Sequence, residues 1–452
     1  MYGPKSPKQV IICGGGIAAV EALLAVRALL AVGIELHLVA PNRQFVYQPL
    51  AVAAPFGLAE THLFELAELC HEHGATLHED ALDKVDGDGR SVLLASGEQL
   101  SYDALVVAVG AWRLEWLEGA VHFGGAADVK AFRAMLERLV AGSAQRLCFV
   151  SPAAPGWTLP LYELALLTAS HLADAGVIGA ELTVLTPEDD SLAVFGPAAG
   201  RMLRDLLADR GIALETGVQA QRIERGKLSL DSGGAIEVEQ VLALSRLEGH
   251  MLPGLPCDAN GFIAVDEHSR VIGFRGVYAA GDGTTFPVKQ GGIATQQADA
   301  AAETIAAQFG DAIVPEPMRP ELRAMLLTGI APAYLRAQFG DADGDSFEQA
   351  VNPLWWPPGK VAGRYLAPYL AGHNSLTRDQ TLADLPPSTD DPGKTRGLHD
   401  EARDLALTFA DLDSDDGHFD SALQWLEVVE RLDGVLPAGY IEKRMRWQQS
   451  RR

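Results

Sequence analysis

The sequence predicts an α/β fold of two three-layer units with parallel sheets, followed by a C-terminal module. Three observations lead there. Two strand, turn, helix, strand units stand far apart in the chain, one beginning near Gln9 and one near Arg146, and each closes within the roughly thirty residues that a crossover between parallel strands needs. The strands themselves are short and almost continuously apolar, as in residues 9–13 and 104–109, which is the pattern of strands covered on both faces. A length of 452 residues allows about three domains and a sizeable core, so no disulfide or metal staple is required.

Taken in order, residues 9–13 read as a buried strand, 14–16 as a tight turn, 17–31 as a helix of small and aliphatic residues, and 35–40 as the second strand. Residues 63–73 carry an amphipathic helical period, and 104–109 form a strand ending at Gly110. The second unit runs through strand 146–151, helix 161–173, strand 181–186, helix 197–210 and strand 212–215. A further strand at 276–280 leads into Gly281-Asp282-Gly283 and then a small-residue helix over 293–308. Beyond residue 310 prolines become frequent, two tryptophans stand within 353–358, and 386–395 has a linker-like composition, so 311–452 reads as a separate module.

Composition narrows the function. Lys and Arg total 36 against 60 Asp and Glu, a net charge of −24, which repels phosphate backbones and argues against nucleic-acid binding. Apolar residues at 48% and charged residues at 21% exclude global disorder. The four cysteines, Cys13, Cys70, Cys148 and Cys257, form no Cys-x-x-Cys pair, which points to a reducing cytoplasm and away from a dithiol redox centre. No signal-peptide pattern opens the chain, and its apolar windows are too short to span a bilayer.

The strongest motif is Gly14-Gly15-Gly16-Ile17-Ala18-Ala19, a G-x-G-x-x-A placed between strand and helix. Its first glycine makes the turn, its second lets backbone approach a pyrophosphate, and Ala19 lets the helix pack on the strand, while the helix start offers amides and a positive dipole end. The acid that usually ends the second strand and binds ribose is absent, since Ala40 holds that place. Pro41, Asn42 and Arg43 are then the candidates for the adenosine side.

With the later strand that ends in Ala279-Ala280-Gly281-Asp282, and with Ala108-Val109-Gly110 between the two, the chain resembles the flavoproteins that carry two dinucleotide-binding domains. That resemblance implies two Rossmann-like domains: an FAD domain over 8–115 and 255–310, split by a second domain over 116–254. It implies FAD as cofactor, with Asp282 on its sugar part and the following helix aimed at the flavin. Within the group, Pro160-Leu161-Tyr162-Glu163, Pro287-Val288-Lys289-Gln290-Gly291 and Phe45-Val46-Tyr47-Gln48-Pro49-Leu50 resemble segments of sulfide:quinone oxidoreductases, the flavocytochrome c sulfide dehydrogenase flavoprotein and type II NADH dehydrogenases. The resemblance puts Gln48, Pro49, Lys289 and Gly291 beside the flavin, and makes Lys289, Gln290, Gln296 and Gln297 the candidate catalytic residues.

Two departures shape the expected chemistry. The sulfide-oxidising relatives need a cysteine just upstream of Pro160, where Trp157 stands, so persulfide chemistry is not expected. The turn 151–160 carries one glycine and three prolines, and proline has no amide to give a phosphate, so the second domain is expected to lack a pyridine-nucleotide site. The reading is an FAD-dependent oxidoreductase passing electrons to a quinone-like or other small acceptor, its donor open. The rivals are an NAD(P)H-dependent reductase and a flavin-binding sensor without turnover. His71, His73 and His78 are not expected to clasp a metal, because positions two apart on a helix diverge. Trp355-Trp356 could roof the flavin, pack a small domain or meet a second copy in a homodimer. The basic, amphipathic C-terminal segment from His418 leaves open a peripheral contact with the inner face of the membrane.

Overall fold

The computed structural model describes residues 6–341, 344–373 and 436–450, with isolated positions between 407 and 429. The linker-like stretch 386–395, and the Trp425, Val428 and Leu432 positions of the last amphipathic segment, lie outside the described residues.

The chain opens with strand β1 (Lys8–Cys13), helix α1 (Ile17–Leu29) and β2 (Ile34–Val39), then the hairpin of β3 (Gln44–Tyr47) and β4 (His62–Glu65), helix α2 (Leu66–Glu72) and β5 (Ala75–His78). A meander of β6 (Leu82–Asp86), β7 (Ser91–Leu94) and β8 (Gln99–Ser101) leads to β9 (Ala104–Val107). The connecting strand β10 (Ala111–Leu114) passes into β11 (Val121–Phe123), α3 (Val129–Val140), β12 (Arg146–Val150), α4 (Leu159–Asp174), β13 (Glu181–Leu185), α5 (Pro197–Asp209) and β14 (Ile212–Glu215). A second meander, β15 (Ala220–Glu224), β16 (Lys227–Leu230) and β17 (Ala235–Glu237), precedes β18 (Gln240–Leu244) and the returning strand β19 (Arg246–Gly249). Then come β20 (Val277–Ala279), α6 (Gly291–Phe309), the strands β21 (Glu321–Leu326), β22 (Ala333–Gln338) and β23 (Glu348–Ala350), α7 (Leu366–His373) and α8 (Ala438–Ser450).

These strands form two parallel five-stranded sheets, ordered β20-β9-β1-β2-β5 and β11-β18-β12-β13-β14. The first draws its edge strand from residues 277–279, far along the chain, so residues 121–244 are an excursion from it. The antiparallel ribbon β10-β19 is the pair of crossings between the sheets. Helices α1 and α6 cover one face of the first sheet over a core of Val10, Ile12, Leu23, Leu38, Val106 and Ile305. Its other face packs on the first meander through Ile11, Val85, Val92 and Leu105. The fold is therefore α/β in three layers, as the apolar strand runs require.

Two findings differ from the periodicity. Residues 63–73 divide into β4 and α2 rather than one helix. Strand pairing with β3 wins there, because Phe64 turns inward to stack on Phe45 with ring centroids 5.7 Å apart while Leu63 and Glu65 face out. Residues 321–338 add their buried face, including Leu322, Leu326 and Leu335, to the same core as α3 and α4. No described helix is long and apolar enough to cross a membrane.

Candidate functional site

Parallel strands present their carboxyl ends along one edge, and ligands of such sheets sit there. In the first sheet β1 leaves this edge through Gly14, whose φ of +137° suits glycine alone. A Cβ on Gly14 would lie 2.1 Å from the Ala108 carbonyl oxygen, so only glycine lets the ends of β1 and β9 meet. Gly15 is close-packed too, its Cβ position 3.2 Å from the Cβ of fully buried Ala40. Around the Cβ positions of Gly16 and Gly110, by contrast, no atom lies within 4 Å. This glycine-lined opening sits at the start of α1, which has no side-chain cap and no acid in its first turn. Its first amides are left for water or an anion.

The second corner of the edge closes on the first. Gly281 would bring a Cβ to 3.1 Å from Ala18, and Gly291 would bring one to 2.9 Å from Ile17, so the start of α6 meets the first turn of α1. Helix α6 also begins without a side-chain cap or an early acid. The Gly281 amide donates to Gln297 Oε1 at 2.8 Å, and Gln297 Nε2 donates to Thr284 Oγ1 at 3.1 Å. Gln297 thereby holds the Gly281-Asp282 turn.

Charge at this corner is buried. Burial pushes the Asp282 carboxyl up, and the positive charges of Lys289 and Arg113 oppose that shift. Burial pulls Lys289 down to about 8, against the acids Asp282 and Asp258. Its ammonium donates to the Thr284 carbonyl and lies 3.9 Å from the centroid of the Phe262 ring. Gln290 donates through Nε2 to the Arg323 carbonyl at 2.6 Å, leaving its buried Oε1 with no partner.

Of the residues expected at the site, Gly14, Gly15, Gly16, Ile17, Ala18, Ala108, Val109, Gly110, Gly281, Asp282, Lys289, Gln290 and Gly291 share this edge. Gln48 Oε1 accepts from the Ala126 amide at 2.9 Å, which ties the turn of Gln48 and Pro49 to the start of α3. Pro41, Asn42 and Arg43 are exposed at the rim, where Arg43 meets Glu79 at 2.9 Å. Gln296 turns elsewhere: its amide exchanges hydrogen bonds with the Glu321 backbone in both directions, stitching α6 to β21. Glutamines 296 and 297 thus serve the protein's own frame.

At the edge of the second sheet, Pro160 occupies the second position of α4, and Trp157 packs its ring 5.9 Å from Phe195. The Tyr162 hydroxyl donates to Glu188 at 2.6 Å, and Thr186 Oγ1 donates to the same oxygen at 3.1 Å. The turn is also tied to the first site, since Gly156 N donates to the Pro287 carbonyl and Lys289 N to the Gly156 carbonyl, each at 3.2 Å.

Sequence reasoning missed one neighbour of this junction. Glu163, almost fully buried on α4, pairs with the equally buried Lys360 and accepts from the Leu327 amide at 2.8 Å. Val361, beside Lys360, would lie 2.8 Å from a Cβ on Gly291. Only the burial of both ends marks this pair, and a sequence does not display that. Trp355 donates to the Gly359 carbonyl at 3.0 Å and sits edge-on to Tyr334, which fixes this segment on β22. All four cysteines are free thiols. Burial pushes Cys13 up to about 12 and Cys70 up to about 11, and raises Cys148 further, which holds these three as inert thiols at neutral pH. Cys257 is half-buried, its Sγ 3.6 Å from the His250 carbonyl. His73 packs against Tyr369, while His78 bonds His37 at 3.1 Å.

A dinucleotide with a flavin fits these residues. Two uncapped helix starts converge on one glycine-lined opening, and an orphaned buried acceptor stands at the second of them.

Residues 164–303 match the family model described as pyridine nucleotide-disulphide oxidoreductase. A NADH dehydrogenase-like protein of Mycobacterium tuberculosis is 28% identical over 209 residues, 44% of this chain and 52% of the relative. The sulfide-quinone reductase of Aquifex aeolicus is 26% identical over 234 residues, 49% of this chain and 53% of that one. The chain therefore spans about half the length of these curated relatives. Among solved structures, the sulfide:quinone oxidoreductase from A. aeolicus superimposes with a TM-score of 0.69 at 20% identity, covering 76% of this chain and 86% of that chain. A ferredoxin reductase from Rhodopseudomonas palustris does so with a TM-score of 0.56 at 21% identity, covering 73% and 81%.

Proposed function

We propose, from the premise that the chain carries a pyridine nucleotide-disulphide oxidoreductase domain over residues 164–303, that it is an FAD-dependent oxidoreductase passing electrons to a quinone-like or other small acceptor. In this reading residues 8–115 and 255–310 are the FAD domain, 116–254 a second domain that does not use NAD(P)H, and 311–452 a C-terminal module. The observation that carries it is the convergence of the uncapped starts of α1 and α6 on one opening.

Each residue then has a task. The amides after Gly14, Gly15 and Gly16, with Ile17 and Ala18, cradle the pyrophosphate, and the dipole of α1 favours its charge. Ala40, Pro41, Asn42 and Arg43 border the adenosine side, while Ala108, Val109 and Gly110 line the turn opposite. Asp282 accepts hydrogen bonds from sugar hydroxyls. When bound, FAD supplies the electron exchange between donor and acceptor at its isoalloxazine ring. Lys289, Gly291 and the α6 start place positive potential beside that ring, and Gln290 Oε1 accepts an N–H or O–H from the bound group. Cys13, Cys70 and Cys148 are buried thiols and Trp157 stands where the sulfide-oxidising relatives need a cysteine, so in this reading the side chains orient the bound group and stabilise charge. The four free cysteines suit a reducing cytoplasm. Exposed Ile441 and Met445 on α8 support a peripheral surface contact.

The purified protein is expected to be yellow and to hold one flavin per chain. Gly14→Ala, which drives a Cβ into the Ala108 carbonyl, is expected to abolish flavin retention. A colourless wild-type protein that takes up no FAD on reconstitution contradicts the proposal. The names of the relatives favour NAD(P)H as a second reading for the donor, and bleaching of the flavin by anaerobic NADH or NADPH distinguishes it.

A further inference from the structure

The unexplained group of the second sheet is Glu188. It follows β13 by three residues, at the edge where that parallel sheet would receive a nucleotide. Its carboxylate collects hydrogen bonds from the hydroxyls of Tyr162 and Thr186, from the side chain of Thr158, and from the Ala193 amide. Thr158 is the residue that precedes the first turn of α4, and Tyr162 lies on the turn after it. Tyr162 and Thr186 are fully buried. Burial pushes the Glu188 carboxyl up, and these four donors work against that shift.

We infer that Glu188 is a specificity-determining residue of the second domain, an internal carboxylate that occupies the anion position at the start of α4 and shuts NAD(P)H out of it. This rests on the reading above, in which that domain does not use NAD(P)H, and it names the group responsible. A dinucleotide needs unoccupied donors and no resident negative charge where its phosphates lie. Here the hydroxyl donors already serve a carboxylate. Pro160 removes one amide from the first turn, and Trp157 fills the turn before it. A phosphate entering this space would face a like charge in a partly desolvated setting, which is costly unless the carboxylate is displaced or protonated.

The alternative role for an acid at this edge is to bind ribose hydroxyls, and the two roles predict opposite mutational effects. Titration of the full chain with ADP-ribose, followed by calorimetry, separates them without reference to flavin colour or turnover. Wild-type protein is expected to give no saturable binding. Glu188→Ala is expected to bind the probe saturably, at least about tenfold more tightly than the limit that the wild-type titration sets, a gain of at least about 1.4 kcal/mol. Glu188→Gln, which keeps the shape and removes the charge, carries the same expectation where the alanine variant does not fold. Tyr162→Phe, which removes one donor and leaves the charge, is expected to bind no better than wild type. Saturable binding to wild type that weakens on Glu188→Ala overturns the inference, because Glu188 is then a ribose ligand. A folded Glu188→Ala or Glu188→Gln variant that binds no better than wild type overturns it as well. A protein that lacks flavin but follows the predicted binding pattern would sink the proposed function and leave this inference standing.

Discussion

A carboxylate with no solvent exposure, Glu21, sits in the middle of α1 and accepts from the Tyr365 and Leu366 amides at 2.9 and 2.6 Å. It also shares a hydrogen bond with Asp299 on α6, and Arg364 and Glu303 lie close to that pair. Gly363 is pressed against it, since a Cβ there would lie 2.6 Å from Glu21 Oε2. Burial pushes Glu21 up to about 7, and burial with the facing Glu21 carboxylate pushes Asp299 well above the usual carboxylate range. A carboxyl group raised on folding binds more protons in the native state, so its contribution is present at low pH and is lost as pH climbs through the folded value. Thermal stability of the wild type is therefore expected to fall as pH rises from about 4.5, the ordinary carboxyl value, to about 7, and Glu21→Gln, which cannot ionise, is expected to flatten that fall. A wild-type profile parallel to that of the variant would refute the assignment. A glutamate inside an apolar helix is visible in the sequence, but the acid facing it stands on another element, so the pair was not legible.

At the scale of elements, the site is two helix starts and the turns that feed them. Gln297 and Gln296 are neighbours on α6 with different duties, one holding the Gly281-Asp282 turn and the other stitching α6 to β21. A protein hydrogen bond is worth about 1 kcal/mol net, so Gln297→Met is expected to weaken FAD retention by roughly fivefold. Gln296→Met is expected to lower the melting temperature while leaving FAD affinity within about twofold. Measurement of flavin release and of thermal unfolding for both variants checks the division, and equal flavin loss from each would contradict it. The glycine turns were legible because backbone approach without a Cβ demands glycine, and that demand is written at single positions such as Gly14 and Gly281. Residues 63–73 were misread because a helical period of apolar residues also contains the alternation of a short strand, and only the partner Phe45 decides between them. The duties of the glutamines were hidden for the same reason, since their partners on β21 and on the turn before α6 are contacts across the fold.

For the whole molecule, the two parallel sheets and the three layers follow from apolar strand runs separated by helices. The joining of residues 277–279 to the first sheet was suggested by the Gly281-Asp282 motif rather than by periodicity. The meanders carried no comparable signal, being strands of only three to five residues, and the β10-β19 ribbon pairs two segments that the whole excursion of residues 121–244 separates. The charge of −24 belongs to the chain as a whole, while the positive side chains at the site are buried beside acids, Lys289 near Asp282 and Lys360 against Glu163. In the proposed function, electrons pass through a flavin held between α1 and α6 to a small acceptor without NAD(P)H bound in the second domain. This is tested most directly by following flavin absorbance under anaerobic conditions, first with NADH and NADPH, then after photoreduction and addition of a short-chain quinone. Neither nucleotide is expected to bleach the flavin, and the quinone is expected to return the oxidised spectrum promptly. Rapid bleaching by a nucleotide, or a photoreduced flavin that the quinone leaves unchanged, would contradict the proposed function.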